Sequence, residues 1–290
     1  MQIALLVDSA TRLDLALIKK YNITVIPVPV EIGGVRYYEG SDLNLEQYQE
    51  LVADNQANIA QIRVTELTKR LELLGEQGYD TVLGLCPASG LSTLFSHLQA
   101  CNHEIDNLNV YAFDTQVIGP LQGQFVQAAA ELIASGDEIH TILRKLGRMR
   151  QQLQTFIALE DLTVLQNQGY VSNGKKFPGK NLLPLKTLCS INDTSQLEVM
   201  KTRLRSKQAY TELQSWIYTS YDRLEERMQI TIIGAYDNDD FYDYWVPNLR
   251  QDFPKAKLVF APLGISTTIR LGTKSILVSF GPSWREFLSE

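Results

Sequence analysis

The sequence has few of the residues that build metal sites, disulfide frameworks and nucleic-acid surfaces. Its 290 residues include three histidines, which show no HExxH or HxH spacing, and three widely spaced cysteines. An odd number of scattered cysteines favours a reducing compartment, so we expect a cytoplasmic protein without a disulfide framework. Lys and Arg (27) are outnumbered by Asp and Glu (33), and this balance argues against a nucleic-acid-binding surface.

Long apolar runs and low-complexity tracts are also missing. No stretch approaches the roughly 18 apolar residues of a transmembrane helix, so we expect no integral membrane association. The N-terminal segment lacks the basic region and the long apolar run of a signal peptide. With 44% hydrophobic residues the chain can bury a full core, and its length is typical of two domains.

What the first half does contain is an alternation of strand-like and helix-like segments. The predicted strands include residues 3–7, 81–85 and 110–113, and the predicted helices include residues 65–76, 92–105 and 123–136. Such alternation is typical of βαβ units and a mostly parallel sheet. We therefore predict an α/β fold in which residues 1–155 form an N-terminal domain with a mostly parallel sheet flanked by helices.

The second half shows a different pattern. Two strand-like segments, at 182–190 and 197–201, flank a turn at Asn192-Asp193, and helical and strand segments follow. This pattern predicts a smaller α+β domain spanning residues 156–290.

Small polar residues follow three of the predicted strands of the first half. They form the segments Asp8-Ser9, Ala88-Ser89-Gly90 and Asp114-Thr115. Ligands of parallel α/β sheets bind beyond the carboxyl ends of the strands. We therefore take Ser9, Ser89, Gly90 and Thr115 as candidate ligand-binding residues.

Ser89 admits more than one interpretation. A backbone turn into a helix N-terminus, with a serine hydroxyl, suits a carboxylate or phosphate. Serine and glycine are also common in helix caps and turns, without any ligand. A nucleophilic role is disfavoured, because Pro87 stands where a GxSxG elbow would have its first glycine.

A basic segment, Lys201 to Lys207, is the second candidate anion site. If it continues a strand, alternation places Arg203 and Arg205 on one face, where they could bind a carboxylate or phosphate together. A charged sheet edge that blocks strand addition explains the same residues equally well.

Five segments in this order resemble the DegV family, bacterial two-domain proteins that bind a fatty acid. They are "IALLVDSATRL", "YNITVIPVPVEIGGVRYYEGSDL", "GYDTVLGLCPASGLSTLF", "NVYAFDTQVIGPLQG" and "KTRLRSKQA". Together they span most of the chain.

The resemblance implies an acyl chain in a tunnel between the two domains. In the family, the carboxylate meets a serine of a Ser-Ser-Gly motif, which corresponds to Ser89, and a hydroxyl of a Thr-Ser-Gln-Pro loop. Here that loop contains Gln61 and Arg63, which are the available replacement donors. The implied function is that of a fatty-acid carrier or sensor, not an enzyme, with the fatty acid as its ligand and no cofactor.

Some family members present the bound fatty acid to a separate kinase, so the resemblance makes a fatty-acid kinase a candidate partner. Two departures argue against it: Tyr170 replaces a family arginine, and residues 265–275 contain no histidine. Arg203 and Arg205 retain some basic character, and Arg63 and Arg270 are further cations available to compensate.

The alternative is an enzyme or enzyme subunit acting on a small phosphorylated or keto substrate at the same loops. A long apolar tunnel would favour the carrier, and a polar pocket of modest volume would favour the enzyme.

Overall fold

A computed structural model describes residues 2–102, 104–160, 165, 185–235 and 238–289, with position 203 described by its backbone alone. The strands are β1 (Ile3–Asp8), β2 (Thr24–Ile26), β3 (Pro29–Ile32), β4 (Val35–Tyr38), β5 (Ala57–Ile59), β6 (Thr81–Cys86), β7 (Asn109–Asp114), β8 (Gln154–Leu159), β9 (Lys186–Ile191), β10 (Leu197–Leu204), β11 (Met228–Gly234), β12 (Lys257–Pro262) and β13 (Ile276–Pro282). The α-helices are α1 (Leu15–Tyr21), α2 (Leu45–Val52), α3 (Val64–Glu76), α4 (Leu94–Cys101), α5 (Gly123–Ala134), α6 (Ile139–Gln152), α7 (Ser206–Leu224), α8 (Val246–Asp252) and α9 (Ile265–Leu271). A π-helix, Asp240–Trp245, leads into α8.

The first sheet is parallel, as predicted, with strand order β2-β1-β6-β7. Every residue of β6 is buried, which explains its uninterrupted apolar sequence, since a parallel sheet is covered on both faces. The carboxyl ends of β1, β6 and β7 lie side by side at Asp8, Cys86 and Asp114. The strand-end segments of the sequence therefore share one edge of this sheet.

The second sheet contains six strands in the order β10-β9-β8-β13-β11-β12. Only β11 and β12 run parallel within it; the other neighbours are antiparallel. The predicted hairpin across Asn192-Asp193 is the β9–β10 pair, and β10 lies at the sheet edge. The predicted α/β fold class, with an α+β second part, is confirmed.

A third sheet, with order β4-β3-β5, was not predicted from the sequence. The apolar run at residues 23–30 forms two strands, because it contributes β2 to the first sheet and β3 to the third. Pro27 lies between these strands, and proline cannot donate the hydrogen bond that a continuous ladder would need.

Several helix boundaries differ from the sequence-based prediction. The predicted helix at 92–105 is shorter and spans Leu94–Cys101. The sequence pattern at 11–21 also predicts a helix, but Arg12 has a left-handed φ of 48°, so α1 begins only at Leu15. Helix α2 begins with a capping box, in which Asn44 and Gln47 exchange side-chain-to-backbone hydrogen bonds of 2.9 Å. The sequence pattern predicts a further helix at 161–168, and that segment lies mostly outside the described residues.

The two larger sheets share one apolar core. Leu5 and Leu83 of the first sheet belong to the same buried cluster as Ile157 and Leu277 of the second. β8, the first strand of the second sheet, begins at Gln154. The division into domains at residue 155 remains a prediction. Within the described part of the chain, no helix combines the length and apolarity needed to span a membrane.

Candidate functional site

Three cavities lie beside the residues that end the strands of the parallel sheet. The largest, of about 600 Å³, includes Ser9 in its lining. Another, of about 310 Å³, includes Thr115. A third, of about 220 Å³, includes Ser89 and Gly90. The candidate hydroxyl groups therefore contribute to three separate cavities rather than to one site.

The cavity of about 220 Å³, called here the Ser89 cavity, combines polar donors with an apolar wall. Its lining consists of Asp8, Val28, Ile59, Ala60, Gln61, Ile62, Ser89, Gly90, Leu91, Ser92, Thr93 and Arg270. A cation, an amide and hydroxyl groups suit an anionic headgroup, and the neighbouring aliphatic side chains suit the start of an alkyl chain. Among the described lining residues there is neither a histidine nor a cysteine.

The loop that carries Ser89 is fixed by the carboxylate of Asp114. The backbone N–H of Ser89 donates to Asp114 Oδ2 over 3.2 Å, and the Ser195 hydroxyl donates to the same oxygen over 2.7 Å. The backbone N–H of Gln116 donates to Asp114 Oδ1 over 2.9 Å. Asp114 thus joins this loop to the turn between β9 and β10.

Ser89 is not the cap of the helix that follows it. That helix begins at Leu94, with Thr93 in the cap position, and the Ser92 hydroxyl accepts from the Leu94 N–H over 3.3 Å. The structure therefore gives no support to the interpretation of Ser89 as an N-cap. Its proposed contact with a ligand remains a prediction.

Gly90 is required by packing. An ideal Cβ at this position would lie 2.4 Å from the backbone oxygen of Ser195, far inside van der Waals contact. The absence of a side chain lets the β9–β10 turn approach the Ser89 loop closely. Close packing alone therefore explains a glycine at this position, and a ligand-binding role for Gly90 remains a prediction.

The loop before α3 supplies one of its two predicted donors to the cavity. Gln61 is exposed and lines the Ser89 cavity. Arg63 is the residue that precedes α3, is exposed and is not part of the lining. Of the two predicted donors, Gln61 is the one among the described lining residues, and its contact with a ligand remains a prediction.

Ser9 and Thr115 are engaged in local hydrogen bonds. The Ser9 hydroxyl accepts from the Val28 N–H over 2.9 Å. The Thr115 hydroxyl is buried and donates to the Cys86 carbonyl over 2.7 Å. Both bonds tie together neighbouring segments at the sheet edge.

The prediction that Arg203 and Arg205 share one face of a strand is wrong. Strand β10 ends at Leu204, and Arg205 has already become the residue preceding α7. Alternation of side chains therefore does not continue from Arg203 to Arg205. Arg205 is not among the described lining residues of the Ser89 cavity, and β10 is an edge strand, where charged residues block strand addition. A ligand-binding role for Arg203 and Arg205 remains a prediction. Tyr170 lies outside the described residues.

The wall of the Ser89 cavity contains two buried charged residues, Asp8 and Arg270. The sequence analysis did not predict that they form a pair. Asp8 is 2% exposed and Arg270 is 5% exposed. Burial raises the pKa of Asp8 to about 7, although the positive charge of Arg270 opposes this change; Glu39 raises it further. Two sequence signals were available: the position of Asp8 at a strand end, and a lone arginine in the mostly uncharged segment "ISTTIRLG".

Several unpaired polar atoms belong to this pair, to the nearby Glu39 and to α9. Nine buried side-chain polar atoms lack a hydrogen bond among the described residues. Five of the nine belong to Asp8, to Glu39 and to Ser266, Thr267 and Arg270 of α9. Because unpaired buried polar atoms are costly, these groups need further partners, which water or a ligand can supply.

The cysteines are not suited to nucleophilic chemistry. Cys86, Cys101 and Cys189 are free and buried. Burial raises the pKa of the Cys86 thiol well above its usual value, and the charges of Asp8 and Asp114 raise it further. The reactive thiolate form is therefore suppressed at the carboxyl end of β6.

Comparison with known proteins identifies the family. The model of the DegV family, whose members are described as uncharacterised proteins, matches residues 2–282. The chain belongs to the DegV family. A DegV domain-containing protein of Staphylococcus aureus (strain COL) is 26% identical over 277 residues, which cover 94% of this chain and 95% of the relative.

Solved structures show the same fold. The crystal structure of DegV from Bacillus subtilis, a fatty acid binding protein, has a TM-score of 0.83 at 24% identity, covering 97% of this chain and 99% of that one. A fatty acid binding DegV family protein from Streptococcus agalactiae has a TM-score of 0.85 at 26% identity, with the same coverage of 97% and 99%.

Proposed function

We propose that this DegV protein binds a long-chain fatty acid or a similar monocarboxylic amphiphile, with its carboxylate in the Ser89 cavity beside Ser89 and Gln61. The observation that carries the proposal is the composition of the cavity wall. Hydroxyl and amide donors and a buried arginine face an opening whose other lining residues include Val28, Ile59, Ile62 and Leu91. Polar donors of this kind hold a carboxylate, and aliphatic side chains accept the adjoining methylenes.

The relatives support a fatty acid as the ligand. The Bacillus and Streptococcus proteins, which share the fold over nearly the whole chain, are both described as fatty acid binding. Burial of about twelve methylenes at roughly 0.8 kcal/mol each would offset the entropic cost of association and keep the ligand bound during purification.

The proposed role is that of a cytoplasmic carrier or sensor without catalysis of its own. We expect weak presentation to a fatty-acid kinase, because transfer of a phosphoryl group needs well-placed cations. The segment 265–275 contributes Arg270 to the cavity wall but contains no histidine. Acyl-phosphate formation with a reconstituted fatty-acid kinase tests this point, and turnover equal to that of an authentic carrier would contradict it.

The proposal is tested by extracting the purified protein under denaturing conditions and analysing the extract by mass spectrometry. We expect a stoichiometric monocarboxylic lipid and an increase in melting temperature when palmitate is added to delipidated protein. The variant Ser89→Phe should lose both, because it fills the cavity. The matched control Ser96→Phe, at an exposed position of α4, should keep both. Absence of lipid together with absence of a thermal shift would exclude the proposal.

A second candidate function rests on the size of the cavity. Its volume of about 220 Å³ is below the roughly 300–1,000 Å³ of typical ligand pockets, and half of its lining residues are polar or charged. A small phosphorylated or keto compound, bound by an enzyme or enzyme subunit, fits such dimensions. A thermal shift with phosphorylated or keto compounds of few carbons, and none with alkyl carboxylates of any length, would favour this candidate.

A further inference from the structure

Two charged residues, Asp8 and Arg270, lie in the wall of the Ser89 cavity. Asp8 and Arg270 are each more than nine-tenths buried, and both line the cavity. Asp8 Oδ1 and Arg270 Nε have no hydrogen-bond partner within the described residues. A buried ion with unused hydrogen-bonding capacity is costly unless a further group completes its environment.

The groups around Asp8 leave Arg270 as its counter-ion. Glu39, which follows β4, raises the pKa of Asp8, and the backbone N–H groups of Ala10 and Thr11 lower it. The thiol of Cys86, at the end of β6, is held protonated. Arg270, on α9, is the cation whose charge acts on Asp8.

Two further charged residues near this region are engaged elsewhere. The Asp114 carboxylate accepts from Ser89, Gln116 and Ser195. The guanidinium of Arg12 donates to the Leu263 carbonyl over 2.9 Å. The side chains of Arg12 and Glu39 both approach position 264, so Arg12 lies on the Glu39 side of the cluster.

We propose that Arg270 is the residue that selects an anionic headgroup in the Ser89 cavity, and that Asp8 takes up a proton when the anion binds. This inference rests on the proposed function and names the charge state of its ligand.

Asp8 and the carboxylate of a bound ligand compete for the positive charge of Arg270. A ligand carboxylate that contacts Arg270 brings a second negative charge beside Asp8, and two neighbouring carboxylates do not both remain ionised cheaply. The carboxyl of Asp8 already has a pKa of about 7, whereas an ordinary carboxylic acid has a pKa of roughly 4. Direct contact with the Arg270 guanidinium favours the ionised form of the ligand, so the proton goes to Asp8.

The same arrangement predicts selectivity for charge. A charge-assisted hydrogen bond from a guanidinium to a carboxylate is about twice as strong as one between neutral groups. An alcohol or ester of equal chain length gains the apolar contacts but not this bond. Arg270 should therefore separate fatty acids from neutral lipids.

Isothermal titration calorimetry on delipidated full-length protein tests the proposal. The ligands are dodecanoate, dodecane-1-sulfonate and dodecan-1-ol, each titrated in two buffers that differ in ionisation enthalpy, about one pH unit above the pKa of Asp8. The two anions should bind with uptake of roughly 0.5–1 proton, and the alcohol with none. The sulfonate stays ionised throughout, so its proton uptake reports protein groups alone.

Variants identify the groups responsible. Asp8→Asn should bind the anions without proton uptake. Arg270→Gln should bind both anions about 10- to 100-fold more weakly and dodecanol within about threefold of the wild type. The matched control Arg250→Gln removes an exposed guanidinium that stacks on Phe260, and it should change neither quantity.

The outcomes separate this inference from the proposed function. Tight binding of dodecanoate by the wild type with equal enthalpies in the two buffers overturns the inference and leaves the function standing. If neither the dodecyl compounds nor palmitate bind, the function fails and the inference with it. The wild-type titrations test proton uptake on their own, even if Asp8→Asn or Arg270→Gln does not fold.

Discussion

Asp8 and Asp114 both end strands of the same parallel sheet, but their surroundings are opposite. The Asp114 carboxylate accepts hydrogen bonds from two backbone N–H groups and from the Ser195 hydroxyl. Asp8 is buried beside Arg270, and one of its carboxylate oxygens has no partner in the described part of the chain. Position at a strand end is therefore not enough to define what an aspartate does.

The difference separates a group that holds the structure together from one that is available to a ligand. A carboxylate whose oxygens already accept several hydrogen bonds has little capacity to accept more from a ligand. Removing it leaves several donors without an acceptor. A buried carboxyl with an unused oxygen destabilises the empty protein and can be relieved by a proton or by rearrangement around a ligand. Substitutions at both positions test this contrast.

The largest expected effect is on the pH dependence of stability and comes from Asp8→Asn. The folded-state pKa of Asp8 is raised from 3.8 to about 7, so the stability contributed by its protonated form is complete below about pH 4 and is lost as the pH rises to about 7. Relative to the wild type, Asp8→Asn should gain up to about 4 kcal/mol between these limits. Urea denaturation across this pH range measures the gain.

The control for this prediction is Asp54→Asn, at an exposed position. Its free energy of unfolding should follow that of the wild type at every pH. If the curves for Asp8→Asn and the wild type are parallel as well, Asp8 does not titrate near neutrality, and the contrast with Asp114 disappears.

The next largest effect is expected at Asp114. Asp114→Ala leaves three donors without their acceptor and should lower the free energy of unfolding by about 3 kcal/mol. Ser195→Ala, which removes one of the donors, should cost about 1 kcal/mol. Asp106→Ala, at an exposed position, is the control and should lie within about 0.5 kcal/mol of the wild type. Equal stabilities for Asp114→Ala and Asp106→Ala would contradict the structural role.

The parts of the fold that could be predicted are those that depend on local pattern. β6 has an uninterrupted apolar sequence, and β9 and β10 flank a recognisable turn, so the parallel sheet and the hairpin followed from neighbouring residues. The third sheet was missed because β4 and β5 are short, at four and three residues, and their pattern gives little signal.

The site could be predicted only in part, because it depends on contacts between distant segments. Ser89 and Gln61 were candidates from the sequence, and the structure places both in the lining of one cavity. Nothing in the local sequence indicates that Arg270 of α9 lines the same cavity as Asp8 of β1, or that the turn carrying Ser195 packs on Gly90. These contacts are set by how the second sheet packs on the edge of the first.

A smaller effect is expected from Gly90→Ala, which tests the contact of the Ser89 loop with the β9–β10 turn. The added Cβ would lie 2.4 Å from the Ser195 backbone oxygen, so one of the two backbones must move. We expect a loss of about 2 kcal/mol in the free energy of unfolding. Gly75→Ala, in α3 with no atom within 4 Å of the new Cβ, should instead stabilise the protein by about 0.5–1 kcal/mol. Stabilisation by both substitutions would show that the loop and the turn are not in close contact.

The smallest expected effect comes from Ser89→Ala, and it distinguishes a ligand contact from a structural one. The bond that fixes the Ser89 loop to Asp114 uses the backbone N–H, which alanine retains, and the cap position of α4 is Thr93. The free energy of unfolding should therefore change by less than about 0.5 kcal/mol. Binding of palmitate should weaken by about 1–2 kcal/mol, the usual contribution of a hydrogen bond to a charged acceptor. Ser96→Ala, in the first turns of α4, is the matched control and should bind palmitate as the wild type does. Unchanged binding together with a marked loss of stability in Ser89→Ala would place Ser89 with Asp114, among the residues that hold the structure together.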